Sequence, residues 1–233
     1  MPTKIAGKKD NKTVVLRPFK PPRKFKAGRD RARVGFAKFT HTSRGNAGPE
    51  RNFWDKTANG ILDDTAAGGF VQNLALVPEG TGTERRIGRK ITVKSVHVRM
   101  QLRTGSGTTM TMPYRLMLVW DKQANGATAT PAELLYLSGS TPYAYNELSN
   151  SDRFAILRDT WGVVTKVAAA TDLVDEVVTW DVPVEIPIEY LGATGVISEV
   201  KSNNLILMAF TTNSVVEGHG GIDVISRIRF LDS

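Results

Sequence analysis

The side chains with the clearest chemical potential are cations spaced along a strand. In TERRIGRKITVKSVHVRMQLR (83–103), side chains alternate between the two faces of an extended chain. Val96, Val98, Met100 and Leu102 fall on one face, and His97, Arg99, Gln101 and Arg103 fall on the other. Ile91 and Val93 stand in the opposite phase, so a bulge is expected near Lys94–Ser95 to keep a single buried face. The run Gly221–Leu231 repeats the design, with Ile222, Val224, Ile228 and Phe230 backed by Asp223, Arg227 and Arg229. Guanidinium groups in rows bind phosphate oxygens through forked donors. Arg99, Arg103, Arg227 and Arg229 thus form basic faces for which polyanion contacts and the solvated face of an ordinary sheet are both open readings at this point.

A second group of cations lies at the N-terminus. Residues 1–44 hold 14 Lys/Arg against Asp10 and Asp30, a net of +12, which leaves the other 189 residues at −4 beneath the overall +8. The candidate contacts in this arm are Lys4, Lys8, Lys9, Lys12, Arg17, Lys20, Arg23, Lys24, Lys26, Arg29, Arg31, Arg33 and Lys38. Pro18, Pro21 and Pro22 interrupt it, and it has too little apolar surface to offset the entropy of ordering. It is expected to be disordered when free and to bind nucleic acid by neutralising phosphates and releasing counterions. The same residues are compatible with nuclear import.

Catalytic chemistry is not expected. His41, His97 and His219 have no metal-ligand spacing, and the chain has no cysteine. GTGTERRIG and GHGG match neither a phosphate-binding P-loop nor a dinucleotide fingerprint and read as turns. The acids Asp63/Asp64 and Asp172, Asp175 and Glu176 read as solvated loop groups. No metal, cofactor or membrane insertion is expected, since no apolar run approaches the length of a span.

The elements that must position the cations are strands. Beyond a mixed loop at 45–69, the expected strands are Phe70–Val77, Lys90–Arg103, Met112–Asp121, Arg153–Val164, Val177–Tyr190, Gly195–Val200, Asn204–Thr211 and Gly221–Leu231. Pro183 and Pro187 mark Val177–Tyr190 as an edge strand or a bulged one. YRLMLVW and NLILMAF are apolar on both faces and read as central strands. Thr130, Pro131 and Glu133 signal one short helix over Ala132–Leu137. Phe53, Trp54 and Trp161 are expected in exposed loops.

ERRIGRKITVKSVHVR, then YRLMLVWDKQANG and RFAILRD, resembles the capsid proteins of circular Rep-encoding single-stranded DNA viruses. The matching residues are Arg86, Gly88, Lys90 and Ile91, then Val119, Trp120, Asp121, Lys122 and Gln123. The resemblance covers roughly residues 70–231; the arm is similar only in composition. It implies an all-β fold: a single jelly-roll sandwich of two four-stranded antiparallel sheets over 45–233, preceded by the disordered basic arm 1–44. It implies self-assembly into an icosahedral shell of about 60 subunits, with single-stranded DNA packaged by the arm and by the basic faces at Arg99/Arg103 and Arg227/Arg229 where these line the interior, the alternative being that those faces lie at subunit contacts. The protein would then reside in the virion, with assembly in the host nucleus. Coat proteins of small RNA or satellite viruses, and cellular jelly-roll lectins or nucleic-acid-binding modules, are the alternatives.

Overall fold

The computed structural model describes residues 52–62, 69–104, 111–136, 143–165, 175–212 and 220–232. The arm, its thirteen candidate contacts and its boundary at 44/45 lie outside these residues, as do His41, His219, Asp63, Asp64 and Asp172. Nine strands form two antiparallel sheets. One sheet has the order β1 (Asn52–Leu62), β9 (Gly220–Asp232), β3 (Lys90–Arg103), β6 (Asp175–Tyr190), β7 (Val200–Ser202). The other has the order β2 (Phe70–Asn73), β8 (Asn204–Thr211), β4 (Thr111–Asp121), β5 (Phe154–Thr165). Apart from the β4–β5 hairpin and the β6–β7 return, every connection passes from one sheet to the other. This is a jelly roll, with five and four strands instead of the expected four and four.

The core lies between the sheets and follows the alternation. Ile91, Val93, Val96, Val98, Met100 and Leu102 of β3 are buried, and the expected bulge sits between Val93 and Ser95. Facing them are Met112, Tyr114, Leu116 and Leu118 of β4 and Leu205, Leu207 and Ala209 of β8. The reverse side of β4 and β8 also needs cover. Met117, Val119, Ile206, Met208 and Phe210 pack under Ala129, Leu134, Leu135 and Phe154, contributed largely by the β4–β5 connection. That connection carries α1 (Pro131–Leu134), shorter than expected because Leu135 bridges to Asn146 instead of continuing the helix. Residue 137 lies outside the described residues. The Glu133 carboxylate accepts from the Thr130 N–H at 2.7 Å, as the anticipated capping box requires.

Further expectations change. Residues 52–62 form a full strand where a loop was expected, because β9 offers an unpaired edge and β1 pairs along it from Asn52↔Phe230 to Leu62↔Gly220. Its inward positions are Trp54, Lys56, Ala58, Gly60 and Leu62, which conceal the alternation. Gly60 is required there, since a Cβ would meet the Phe70 ring. Phe53 and Trp54 thus belong to β1, and Trp161 to β5, not to loops. Conversely, Gly195–Val200 is not a strand. The Glu199 carboxylate accepts from the N–H groups of Thr194 (2.8 Å) and Gly195 (3.1 Å), and Ile197–Glu199 forms a 3-10 turn. Likewise β2 stops at Asn73, although Leu74, Ala75 and Val77 remain in the core. β6 pairs with β3 along its length and with β7 only at Glu189 and Tyr190, so its prolines lie on a free edge, with Pro183 beside the bulge.

Candidate nucleic-acid interface

The outward face of the five-stranded sheet is set by the register of four strands. Asp55, Arg227, His97 and Asp181 form one transverse row across β1, β9, β3 and β6. Phe53, Arg229, Ser95 and Pro183 form the row on one side of it. Thr57, Ile225, Arg99 and Thr179 form the row on the other. Around these rows lies a depression of about 440 Å³ lined by Asp55, His97, Arg99, Asp181, Ile225, Arg227 and Arg229. Three of the four strand arginines singled out in the sequence therefore share one concavity. Arg103 does not, since it stands two rows beyond Arg99's, opposite Gly221.

The four differ in what their charges already meet. Arg227 donates Nε to Asp55 Oδ1 at 2.6 Å and its terminal nitrogen to Oδ2 at 2.5 Å. Its guanidinium also lies 4.9 Å from the centre of the Phe53 ring. The Arg227 hydrogen bonds hold the Asp55 carboxyl below the usual carboxylate value. Arg103 pairs with Asp223. Arg99 and Arg229 are exposed and make no ion pair or hydrogen bond among the described residues. The face is thus not evenly basic; the two guanidiniums without an ion pair or hydrogen bond flank His97, and of these Arg229 still lowers the Asp55 carboxyl through its charge.

The residues carrying the sequence resemblance serve the fold. Arg86 is fully buried, donates Nε to the Val77 carbonyl at 2.9 Å and reaches the carbonyls of Gly88 and Gly192. Its guanidinium lies 4.3 Å from the Tyr190 ring centre, and Glu79 supplies its carboxylate at 3.4 Å. Asp121, also fully buried, accepts both forks of Arg153 (3.0 and 2.9 Å) and the Gln123 N–H (2.9 Å). Trp120 donates Nε1 to Asn203 Oδ1 at 2.8 Å, and Lys122 donates to the Asp152 carbonyl at 3.0 Å.

The sequence did not single out Arg115. It lies buried under the Trp161 ring (4.2 Å), forked onto Asp159 and bonded to the Ala144 carbonyl at 2.7 Å. Tyr143 stacks on the same Trp161 with centroids 5.4 Å apart. The only sequence signal for this cluster was one charge inside an apolar central strand.

No family model and no curated protein matches the chain. Among solved structures it is similar to the capsid protein of BFDV, crystallised as a 60-mer, with 9% identity and a TM-score of 0.31 over 80% of this chain and 94% of that one. It is similar also to the IBDV viral particle, with 8% identity and a TM-score of 0.23 over 79% of this chain and 36% of that one. A third is infectious bursal disease virus Gt strain, at 8% and 0.22 over 80% and 38%. At these identities no residue of this chain inherits a role from those proteins.

Proposed function

We propose that the protein is a non-enzymatic viral capsid protein that assembles with copies of itself and packages single-stranded nucleic acid, DNA in preference to RNA. The observation that carries this reading is the charge layout on the jelly roll. Arg99 and Arg229 stand exposed on one sheet face without an ion pair or hydrogen bond among the described residues, Arg229 within electrostatic reach of Asp55. The sequence preceding Asn52 bears the +12 segment, so the chain carries two separate groups of cations. Exposed Tyr136, Tyr145, Leu148, Trp161 and Val163 add apolar surface suited to contact with further copies. The arm contributes affinity through phosphate charge, and the sandwich supplies the wall of a shell of about 60 subunits.

The experiment is size-exclusion chromatography of the full chain with absorbance at 260 and 280 nm, followed by negative-stain microscopy and selective nuclease digestion. Uniform shells holding DNase-sensitive nucleic acid are expected. RNase-sensitive contents would replace DNA by RNA. Protein that stays monomeric at high concentration across salt conditions would overturn the reading. Deletion of residues 1–38 is expected to leave the jelly roll folded and to lower packaged nucleic acid sharply. For about 12 phosphate contacts, the slope of log K against log salt should be about −8 before the deletion, at about −0.7 per contact.

A further inference from the structure

We propose that the β3–β9 seam is a seat for an extended phosphodiester backbone, with Arg99 and Arg229 as its phosphate ligands and His97 between them, while Arg103 and Arg227 serve the fold. This rests on the reading that the protein binds single-stranded nucleic acid, and divides four arginines of like appearance into two roles.

The division follows from what each guanidinium already holds. Arg227 is forked onto Asp55 and Arg103 is held by Asp223, so an incoming phosphate would compete with a carboxylate at either one. Arg99 and Arg229 make no ion pair or hydrogen bond among the described residues, so their forks are open, although the Asp55 carboxylate feels the Arg229 charge. Both belong to the lining of the same depression.

The register gives the shape of the ligand. Arg229 is level with Ser95, Arg227 with His97, and Ile225 with Arg99. The levels are two residues apart, or about 6.8 Å along an antiparallel strand. Free arginines thus stand one level on either side of His97, a spacing made for a line of charges and not for a single small anion. Carboxylates bound the line: Asp55 on the β1 side, already tied to Arg227, and Asp181 on the β6 side, level with His97. A polyanion is confined to the seam between β3 and β9. Ile225, 59% exposed beside Arg99, offers apolar surface against which a sugar or base can lie.

The test is residue-resolved arginine footprinting. The full chain is treated with phenylglyoxal, with and without single-stranded oligo-dT, and peptides are read by mass spectrometry. Arg99 and Arg229 are expected to react in the free protein and to be protected several-fold by oligo-dT but not by inorganic phosphate. Arg103 and Arg227 are expected to react slowly in both states. Protection equally strong with inorganic phosphate would mean a lone-anion site and overturn the proposal, as would protection that persists after nuclease removes the oligomer, which marks a subunit contact. If Arg17, Arg23 and Arg29 are protected while Arg99 and Arg229 are not, the packaging role stands and this inference fails. If no arginine is protected, both fail. As a second measurement, Arg99→Gln with Arg229→Gln should make the salt slope shallower by about 1.4, two contacts at about 0.7 each. Arg103→Gln with Arg227→Gln should leave the slope unchanged and lower the melting temperature. Equal changes of slope in the two pairs would overturn the division.

Discussion

A guanidinium with no exposed surface is tolerable only when its donors are met, and Arg86 meets three carbonyls, one carboxylate and an aromatic face. Arg86→Met keeps much of the volume but leaves the Val77, Gly88 and Gly192 carbonyls without this donor. The expected loss is roughly 3–5 kcal/mol, read as a drop in the denaturant midpoint. A loss below about 1 kcal/mol would mean that water replaces the side chain. The acid sensitivity of the β4–β5 connection has a residue-level origin in Glu133. Burial opposes its ionisation, but hydrogen bonds from Thr130 and the Arg153 guanidinium prevail and hold its carboxyl below its ordinary 4.5. A carboxylate depressed in the folded state stabilises above its unfolded value and loses that contribution as pH falls through the folded one. Stability should therefore decline below about pH 4.5, and Glu133→Gln should reduce that decline in denaturation curves taken at successive pH values.

Among the elements, β5 is the one whose packing turns on a single absent side chain. Gly162 is level with Tyr114, and a Cβ there would fall on the Tyr114 ring and hydroxyl. Tyr114 is buried, which raises its pKa, and donates to Glu176 of β6 at 2.7 Å, one link between the two sheets. Gly162→Ala is expected to displace that ring and cost about 1–3 kcal/mol, and Tyr114→Phe in the same background should recover little. An unchanged melting temperature would show that the strand shifts freely. Such pairings explain what the sequence could and could not disclose. β3, β4, β8 and β9 were legible to within a residue at each end because their inward positions are predominantly apolar, Ser226 of β9 and Thr211 of β8 being buried exceptions. β1 was hidden because Lys56, Ala58 and Gly60 occupy inward positions, the first reaching the Asn73 carbonyl at 3.1 Å. Gly195–Val200 read as a strand although Glu199 turns it, since a carboxylate binding backbone N–H groups leaves no periodic trace. For the candidate interface, alternation placed the four arginines on one face. Their carboxylate partners Asp55 and Asp223 depend on cross-strand register, which no local pattern states.

At the scale of the whole molecule, β9 lies between β1 and β3, so the first strand of the sandwich has its principal partner in the strand that follows all the others. The consequence is one of timing. The five-stranded sheet cannot close until nearly the whole body of the chain is available, and contacts so remote in sequence make closure slow, in the range of milliseconds to seconds or beyond. During that interval the +12 segment, which precedes every described strand, is already present, and the charge attraction proposed for it requires no fold. Under the proposed reading, nucleic acid would be engaged by a nascent chain whose seat at Arg99 and Arg229 does not yet exist, and would gain that seat only as the seam forms. Refolding from denaturant should accordingly show a slow step sensitive to Ile228→Ala in β9 and insensitive to deletion of residues 1–38. Oligo-dT added at the start should bind before that step in anisotropy and reach its final salt resistance only after it.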